Sequence, residues 1–454
     1  MQATKSPVTE AIASWITSTT FNDLPEAAVT EAKRAILDTL GVSLAGSTQP
    51  VGKIVGDFTR ELRGNPEAGI IGNGFKGTAV DAAFANGVLA HAVDYDDTWL
   101  PVGHPSCTVF PVILSLGEKL NSSGKELIEA FVIGLEVHGK VGYGYQTPGF
   151  HSTSVYGVLG AAAAAAKLLG LDAWQVRMAL AIAGSHASGL GKNSGTMTKP
   201  YHAGNAASGG LRAALLAKAG FNGDPDILGP SGYPATFMRT DDYDAQATIA
   251  ALGNPYHIVS PGIAVKKYPT CYLNHRALDA ILSLATSHNI KPEDVEEVVV
   301  TVPHDRWLNR TELDFGLRAK FSIQYNMVEA LLNRKVVIES FEDDHVFRPE
   351  VQDMIQRVRL NVDSSIPKEY ENAATPITIQ LKDGQILNER VDIPHGDWDD
   401  RLTQEEILAK YQDNAKRVLT PDNCLRSAEL VLGLERVDTL TKLAQIYTLT
   451  ETPN

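Results

Sequence analysis

Cysteine is scarce in this chain of 454 residues. The three cysteines, Cys107, Cys271 and Cys424, are an odd number and lie far apart in the sequence. Disulfide-stabilised secreted domains and cysteine-cluster zinc sites need several cysteines at short spacings, so both classes are excluded. The pattern is typical of a reducing compartment, and we expect a cytoplasmic protein.

Positive charge is also in deficit. The chain has 40 Lys and Arg against 54 Asp and Glu, a formal net charge of −14, which does not suit a protein that binds nucleic acid or an acidic membrane surface. The longest stretch without charge, residues 141–166, contains Pro148, His151 and several glycines, so it does not predict a membrane-spanning helix. We therefore expect neither nucleic acid nor a membrane as a partner.

The sequence contains several helix-forming segments that are rich in small side chains. After Pro25, apolar residues recur at helical spacing as far as Gly41, where we expect the helix to end. Six consecutive alanines, residues 161–166, predict a helix that its neighbours approach closely. Hydrophobic residues make up 44% of the chain, enough for a sizeable core.

The composition changes after Pro261, where β-branched and alternating segments begin. Segments 295–302, 358–362 and 376–381 predict strands, with a helix over residues 324–332 between the first two. The sequence Lys-Asp-Gly-Gln that follows the third strand predicts a hairpin turn.

From Thr403 onward the pattern is helical again. We therefore predict a mainly α protein with two domains. A large all-helical domain is built from both chain ends, residues 1–262 and 400–454, and a smaller α+β domain, residues 263–399, is inserted as a lid.

The sharpest candidate for chemistry lies in residues 91–106. His91, Asp94, Asp96 and Asp97 follow an apolar helix, and His104 stands in a Gly-His-Pro turn. Acid–base chemistry needs carboxylates and imidazoles whose pKa values differ, held by rigid structure. The alternative is a capping cluster for a helix that begins near residue 109, and both interpretations stay open on the spacing alone. A metal site of carboxylate ligands is weaker, because no second ligand pair is visible elsewhere.

Two lysine segments and one histidine are further candidates. Lys199 lies just before a Pro-Tyr-His turn and a small-residue helix, and could offer a fixed ammonium to a carboxylate. Lys266 and Lys267 lie at the expected domain junction, and at most one of them would face a pocket. His151 precedes the alanine-rich helix, whose N-terminus favours anions. For each lysine the alternative is a solvated surface side chain.

A glycine pattern imitates a dinucleotide-binding motif. Residues 72–77 match G-x-G-x-x-G, but no buried strand precedes them and no alternation of strands and helices follows. We interpret the glycines as a tight turn and predict no nicotinamide cofactor.

Four of these stretches together resemble the MmgE/PrpD family, which includes 2-methylcitrate dehydratase and cis-aconitate decarboxylase. The resemblance runs in order along essentially the whole chain. It implies a helical domain with an inserted α+β lid, homodimers, and no metal or organic cofactor. The motifs that carry it are His-Ala-Val-Asp-Tyr-Asp-Asp-Thr from His91 with His104-Pro-Ser, residues 157–171, Lys-Pro-Tyr-His-Ala-Gly-Asn from Lys199, and Lys-Lys-Tyr-Pro-Thr-Cys from Lys266.

The resemblance also implies which residues form the site. The catalytic residues would be His104, Asp94, Lys199 and Lys266, and the substrate-binding residues Thr98, His151 and Tyr325. In this scheme His104 exchanges a proton and Asp94 orients it, while the lysines and His151 hold carboxylates of the substrate.

The implied function is a lyase of the 2-methylcitrate dehydratase type that acts on a small di- or tricarboxylate without a cofactor. Two alternatives stay open: an epimerase or a decarboxylase that resembles cis-aconitate decarboxylase, and a catalytically silent dimer that binds carboxylates. Animal-type decarboxylases carry histidine where this chain has Cys271, and this difference favours dehydration over decarboxylation.

Overall fold

The structure is a computed structural model that describes residues 7–304, 308–369 and 373–449. It is mainly α-helical, as predicted. The chain forms two compact units: the described residues of Met1–Asn193, Thr198–Ile263 and Thr403–Asn454 make the first, and Ser194–Met197 with Ala264–Leu402 make the second.

The first unit is a helical assembly that carries one two-stranded ribbon. None of the helices in the described ranges has the length and apolar character needed to cross a membrane. Its helices are α1 (Val8–Ser18), α2 (Glu26–Thr48), α3 (Pro50–Glu61), α4 (Ala79–His91), α5 (Ser106–Leu120), α6 (Gly124–Gly142), α7 (Ser152–Leu168), α8 (Ala173–Gly184), α9 (Thr198–Lys218), α10 (Ala245–Ala251), α16 (Gln404–Ala415), α17 (Pro421–Leu432) and α18 (Thr441–Thr448).

Small residues allow the central helices of this unit to cross closely. A Cβ atom at Gly87 of α4 would lie 2.7 Å from the Cα atom of Gly204 on α9. A Cβ atom at Gly210 of α9 would lie 2.5 Å from the Cβ atom of Ala161, at the start of the alanine run on α7. The close packing predicted from the six alanines is therefore confirmed, and it fixes the helices whose ends carry the site described below.

Helix α2 is longer than predicted. It begins at Glu26, after Pro25, but continues past Gly41 to Thr48. Gly41 is a packing position rather than a helix end, because a Cβ atom there would lie 3.2 Å from the Cα atom of Tyr411 on α16. The prediction mistook a glycine required by close helix contact for a stop signal.

The glycine-rich segment is a tight turn, as predicted. Strands β1 (Ala68–Gly69) and β2 (Lys76–Gly77) pair antiparallel around it, and Gly72 and Gly74 both adopt positive φ angles. Gly72 and Gly74 thus lie in the turn of an antiparallel ribbon, whereas the dinucleotide motif joins a strand of a parallel sheet to a helix.

The second unit packs helices on a mixed sheet of four strands in the order β4-β3-β5-β6. The predicted strands and the hairpin between β5 and β6 are confirmed. A bulge between Val295 and Glu297 changes the side-chain alternation, so that Val295 faces the core together with Val298 and Val300. The elements are α11 (His275–Ser287), β3 (Val295–Val302), α12 (Gly316–Ala319), α13 (Ile323–Asn333), α14 (Asp343–Val346), α15 (Pro349–Ile355), β4 (Val358–Val362), β5 (Thr375–Leu381) and β6 (Ile386–Val391).

Four residues of the predicted helical domain group with the second unit. Ser194–Met197 belong there because Gly195 packs against Phe321, with the Arg310 side chain beside it. The next residue, Thr198, begins α9 in the first unit.

Candidate active site

Four polar side chains converge where α4 ends. His91 is the last residue of α4, and the loop to α5 brings ligand atoms of Asp94, Asp96 and His104 to within 4.8 Å of one another and of His91. Asp94 has a φ of 52°, in the left-handed region that aspartate tolerates better than most residues. The backbone therefore turns sharply between α4 and the rest of the loop.

The ammonium of Lys199 lies inside this cluster. Lys199 is the second residue of α9, and its Nζ atom is 2.9 Å from Asp94 Oδ1 and 2.7 Å from His91 Nε2. The side chain is only 8% exposed. A buried ammonium needs a carboxylate partner to offset the loss of hydration, and Asp94 is that partner.

The hydrogen bonds of His91 fix its tautomer. An ammonium can only donate, so His91 Nε2 accepts from Lys199, and the ring hydrogen sits on Nδ1, 2.9 Å from both carboxylate oxygens of Asp96. Burial lowers the pKa of His91, against the opposing effect of Asp96. His91 is thus a neutral imidazole that holds the Lys199 ammonium in one orientation.

Asp96 is the buried anion of the cluster. Burial by itself raises the pKa of Asp96, but His91 and His104 outweigh burial and hold that pKa well below its ordinary value. The carboxylate lies against the Nδ1 atoms of both rings. It orients two imidazoles at once.

His104 offers the cluster's proton-exchange atom. Its Nδ1 is 2.9 Å from the backbone carbonyl of Asp97 and 3.3 Å from Asp96 Oδ2, which are both acceptors, so Nδ1 carries the hydrogen. Nε2 is therefore the basic nitrogen, and it lies 3.9 Å from Asp94 Oδ1. The side chain is 12% exposed, more than any other member of the cluster described above.

Asp97 caps the start of α5. Capping was the alternative interpretation of residues 91–106. Its carboxylate accepts hydrogen bonds from the backbone N–H and the hydroxyl of Ser106, the first residue of α5. Burial raises the pKa of Asp97 to about 8, although both bonds from Ser106 act to lower it. The two interpretations are thus divided between neighbours: Asp97 anchors a helix, and Asp94 and Asp96 belong to the cluster.

A second pair of histidines borders the cluster. The His151 ring stacks on the His91 ring with centroids 5.7 Å apart, and its Nδ1 lies 3.2 Å from Nδ1 of His202. Its Nε2 is 3.1 Å from the hydroxyl of Thr153, which also accepts the backbone N–H of His104. Burial, followed by the charge of Lys199, holds the pKa of His151 well below its ordinary value. His151 therefore faces the cluster as a neutral group.

Thr98 closes a turn. Its hydroxyl donates to the carbonyl of Gly103 at 3.1 Å, and the backbones of Trp99 and Gly103 exchange two hydrogen bonds. Gly103 has a φ of 94°, and a Cβ atom there would lie 2.6 Å from the Thr153 nitrogen. The turn holds His104 in place, and the predicted substrate contact of Thr98 would have to be made in addition to this bond.

A buried histidine behind this turn makes the stability of the first unit depend on pH. His138 Nε2 is 3.0 Å from the carbonyl of Val102, and burial lowers the pKa of His138 to about 4. The unfolded chain takes up this proton below a pKa of about 6.5, whereas the folded chain does so only near 4. The free energy of unfolding therefore falls as the pH drops through that window.

Between pH 7 and pH 5 the parent protein should lose about 2 kcal/mol more unfolding free energy than His138→Gln. Glutamine keeps a donor for the Val102 carbonyl but has no proton to take up. Urea unfolding at the two pH values measures the difference. An equal loss in both proteins would mean that His138 is not a buried neutral group.

Lys266, Cys271 and Tyr325 belong to the second unit. Lys266 is fully buried. Cys271 is partly buried, and its backbone N–H donates to the carbonyl of Lys320 at 3.1 Å.

Tyr325, which the resemblance implies as a substrate-binding residue, is a core side chain in the structure of the second unit. It is fully buried in the core of the second unit on α13, and its hydroxyl donates to the carbonyl of Ser340. Burial raises the pKa of this phenol above its ordinary range. Within its unit Tyr325 acts as a core side chain whose polar end is satisfied by the backbone.

The donor set of the cluster does not suit a metal ion. His91, Asp94, Asp96 and His104 have ligand atoms close enough to hold one. However, the Lys199 ammonium already binds Asp94 Oδ1 and His91 Nε2, and Nδ1 of both histidines carries a hydrogen directed at an acceptor. A cation at the same place would meet the ammonium at short range, where like charges repel strongly.

The structure brings together Asp94, His104, His151 and Lys199 of the predicted set. Sequence reasoning did not select His91, Asp96 or His202 as site residues. His91 and Asp96 lie in the candidate stretch of residues 91–106, but the resemblance assigned them no role, and His202 was interpreted as a structural histidine at a helix start. The one sequence signal for this pair is its spacing. His91 ends a helix and Asp96 follows five positions later, so the two side chains meet if the chain reverses direction between them.

The chain is similar to known proteins along most of its length. A model described as the MmgE/PrpD N-terminal domain matches residues 10–246, and one described as the MmgE/PrpD C-terminal domain matches residues 268–436. Cis-aconitate decarboxylase of Mus musculus is 34% identical over 457 residues, which cover 96% of this chain and 93% of the relative. The human cis-aconitate decarboxylase is 31% identical, with 97% and 94% covered. The 2-methylcitrate dehydratase of Cupriavidus necator is 23% identical over 431 residues, 86% of each chain.

Proposed function

The chain belongs to the MmgE/PrpD family, as its motifs predicted, and we propose from this membership that it is a lyase acting on a small polycarboxylate. The single observation that carries the proposal is the buried contact of Lys199 with Asp94 beside the basic nitrogen of His104. This arrangement supplies a fixed cation for a substrate carboxylate and, within a few ångströms, a group that exchanges protons.

Decarboxylation of cis-aconitate is the reaction that we propose first. Two relatives named for it are 34% and 31% identical to this chain, whereas relatives named for 2-methylcitrate dehydration are 23% and 22% identical. In this reaction a carbon–carbon bond breaks to release CO2. The electron pair shifts through the double bond to another carbon, which takes up one proton and leaves an unsaturated dicarboxylate with one carbon fewer.

Negative charge moves towards a neighbouring carboxylate while the bond breaks. The Lys199 ammonium, fixed by Asp94 and His91, would stabilise that charge without having to reorganise. A positively charged group is required locally because the chain as a whole carries a net charge of −14. His151 would contribute a neutral hydrogen-bonding group to the same substrate.

His104 would deliver the proton to carbon. Its Nδ1 stays bound to the Asp97 carbonyl and Asp96, so the proton leaves from Nε2 and is replaced there from solvent. Asp96 stabilises the imidazolium before transfer. Asp94, at 3.9 Å, positions the ring against the substrate while it holds Lys199.

Dehydration of a hydroxy acid of the 2-methylcitrate type is the second candidate. The resemblance favours it at Cys271, where a decarboxylase of the animal type would carry histidine. In dehydration the proton would move in the opposite direction: neutral His104 would take a proton from carbon before hydroxide leaves. Epimerisation would begin with the same proton abstraction and then return a proton to the opposite face of that carbon.

Three further expectations remain part of the proposal. The second unit would act as a lid that contributes Lys266 as a second cation for the substrate. The protein would be a homodimer, for which the exposed apolar side chains Ile54, Phe58 and Leu62 at helical spacing on α3 and its end provide a suitable surface. The reaction would take place in the cytoplasm and without a metal ion or an organic cofactor.

The proposal predicts CO2 release from cis-aconitate by the purified protein, unchanged after dialysis against EDTA. Parallel incubations with 2-methylcitrate and citrate test dehydration through the appearance of an olefinic product. Turnover of 2-methylcitrate but not of cis-aconitate would replace the first candidate by the second. Loss of activity in EDTA with recovery in Mg²⁺ or Mn²⁺ would contradict the cofactor-free account and make the His91, Asp94, Asp96 and His104 cluster a metal site.

A further inference from the structure

A second buried ammonium lies in the first unit, and the proposed reaction does not use it. Lys410 projects from α16, and its side chain is 5% exposed. Its Nζ atom is 2.8 Å from Oδ1 of Asp38 on α2, a side chain that is 1% exposed. Gly41 makes this contact possible, because the missing side chain lets Tyr411 and the rest of α16 approach α2 closely.

The same ammonium binds the loop that carries the acidic side chains of the site. Lys410 Nζ donates to the backbone carbonyl of Tyr95 at 2.8 Å and lies 3.9 Å from the centre of the Tyr95 ring. Tyr95 stands between Asp94, whose backbone is left-handed, and Asp96. Lys410 therefore holds the peptide group that joins Tyr95 to Asp96.

An ion pair at this depth is not explained by stability alone. Burial lowers the pKa of Lys410 and raises that of Asp38, and each partner opposes the shift of the other. Burying two such charges costs about as much as their attraction returns, and an apolar pair of similar volume is often equally stable or more so. What an apolar pair cannot do is donate a hydrogen bond to the Tyr95 carbonyl.

We propose that Lys410 is a positioning residue which, paired with Asp38, fixes the Tyr95 carbonyl and so sets the places of Asp94 and Asp96 in the active site. The helix that carries Lys410 follows the second unit in the sequence, so the last part of the chain completes the loop formed by residues 92–105. The inference rests on the proposed function for its kinetic test and on geometry for its spectroscopic test.

The test replaces the ion pair without leaving a buried charge. In Lys410→Met/Asp38→Leu both partners become apolar, so the folded protein should be about as stable as the parent. The loop loses its donor, and we expect kcat for the proposed substrate to fall by about 10- to 100-fold, since small displacements of catalytic groups have effects of that order. KM should change by less than about threefold, because the groups that bind carboxylates are retained.

A matched control exists in the same unit. Lys167 also bridges a carboxylate and a backbone carbonyl, at 3.0 Å from Glu129 Oε1 and 2.5 Å from the Thr19 oxygen, and neither partner belongs to the site loop. Lys167→Met/Glu129→Gln keeps an acceptor for the Phe21 N–H that Glu129 binds. This variant should retain the parental kcat.

A measurement independent of turnover separates failure of this inference from failure of the proposed function. In ¹⁵N-histidine NMR spectra, the His104 and His91 resonances should move in Lys410→Met/Asp38→Leu and stay in place in the control, because both rings bind Asp96. Unmoved resonances, or a stable variant with the parental kcat, would overturn the inference. If the double variant does not fold, Lys410→Met/Asp38→Asn takes its place in both measurements, because it likewise removes both charges of the pair.

Discussion

Replacing His104 by asparagine is expected to reduce turnover by about 10²- to 10⁴-fold while the fold stays intact. Asparagine keeps an N–H donor close to the position of Nδ1, so the bond to the Asp97 carbonyl is retained. It has no counterpart of Nε2, the nitrogen from which the proton moves. The loss should therefore appear in kcat, with the thermal unfolding midpoint close to that of the parent.

A second histidine provides the control for this experiment. His288 is exposed in the second unit, and His288→Gln should behave as the parent in both activity and unfolding. Measuring kcat and KM for the three proteins separates loss of chemistry from loss of binding. Parental turnover by His104→Asn would remove His104 from the reaction and leave the cluster without its assigned proton donor.

Replacing Lys199 by methionine is expected to lower the free energy of unfolding by about 3–5 kcal/mol, because it leaves the Asp94 carboxylate buried beside His91 without its cation. Activity should fall as well, by about 10²- to 10³-fold, since the fixed charge that faces the reacting carboxylate is gone. The two effects have different origins and can be separated.

The double variant Lys199→Met/Asp94→Asn separates them. Asparagine adopts the left-handed backbone of residue 94 readily and carries no charge, so most of the lost stability should return. Activity should not return, because no cation is restored. Urea unfolding and turnover of the parent and the two variants make the comparison.

An exposed ion pair calibrates the stability effect. Lys416 lies 2.6 Å from Asp413 with both side chains more than half exposed, so Lys416→Met should cost less than about 1 kcal/mol. Recovery of both stability and activity in Lys199→Met/Asp94→Asn would contradict the assignment of Lys199 as the substrate's cation. A loss in Lys199→Met no larger than that in Lys416→Met would show that the Lys199–Asp94 contact is solvated.

Local chemistry allowed much of the fold to be predicted from the sequence. The strands of the second unit have β-branched or alternating patterns, and the hairpin turn has its own residue signature, so both were predicted correctly. The end of α2 was not, because Gly41 is required by Tyr411, a residue 370 positions away in sequence. A glycine that permits helix contact and one that ends a helix look the same until the contact is known.

In the candidate site, too, local motifs were predicted from the sequence and contacts between distant residues were not. Asp94, Lys199 and His104 were selected because motifs place them on a loop or at a helix start, where side chains can be directed at a ligand, and the structure brings the three together. His91 belonged to the candidate stretch but was assigned no role, because its partner Lys199 lies 108 positions further along the chain. Tyr325 was selected from the resemblance alone, and its side chain lies in the core of the second unit.

Lys410 could not have been singled out from the sequence. Nothing in the segment Gln404–Ala415 distinguishes it from an exposed lysine of a helix with several charges. Its role depends on Asp38 and on a backbone carbonyl, and a carbonyl has no signature in a sequence. Interactions of this kind require coordinates, because they join positions that no local pattern relates.

The most direct test of the account is proton NMR of the EDTA-treated protein with cis-aconitate in D2O. The account predicts loss of CO2 and an unsaturated dicarboxylate that carries one deuterium on the carbon protonated by His104, with the same product formed about 10²- to 10⁴-fold more slowly by His104→Asn. An unchanged substrate spectrum, together with no product from 2-methylcitrate or citrate, would contradict the lyase assignment and leave a protein that binds carboxylates without transforming them.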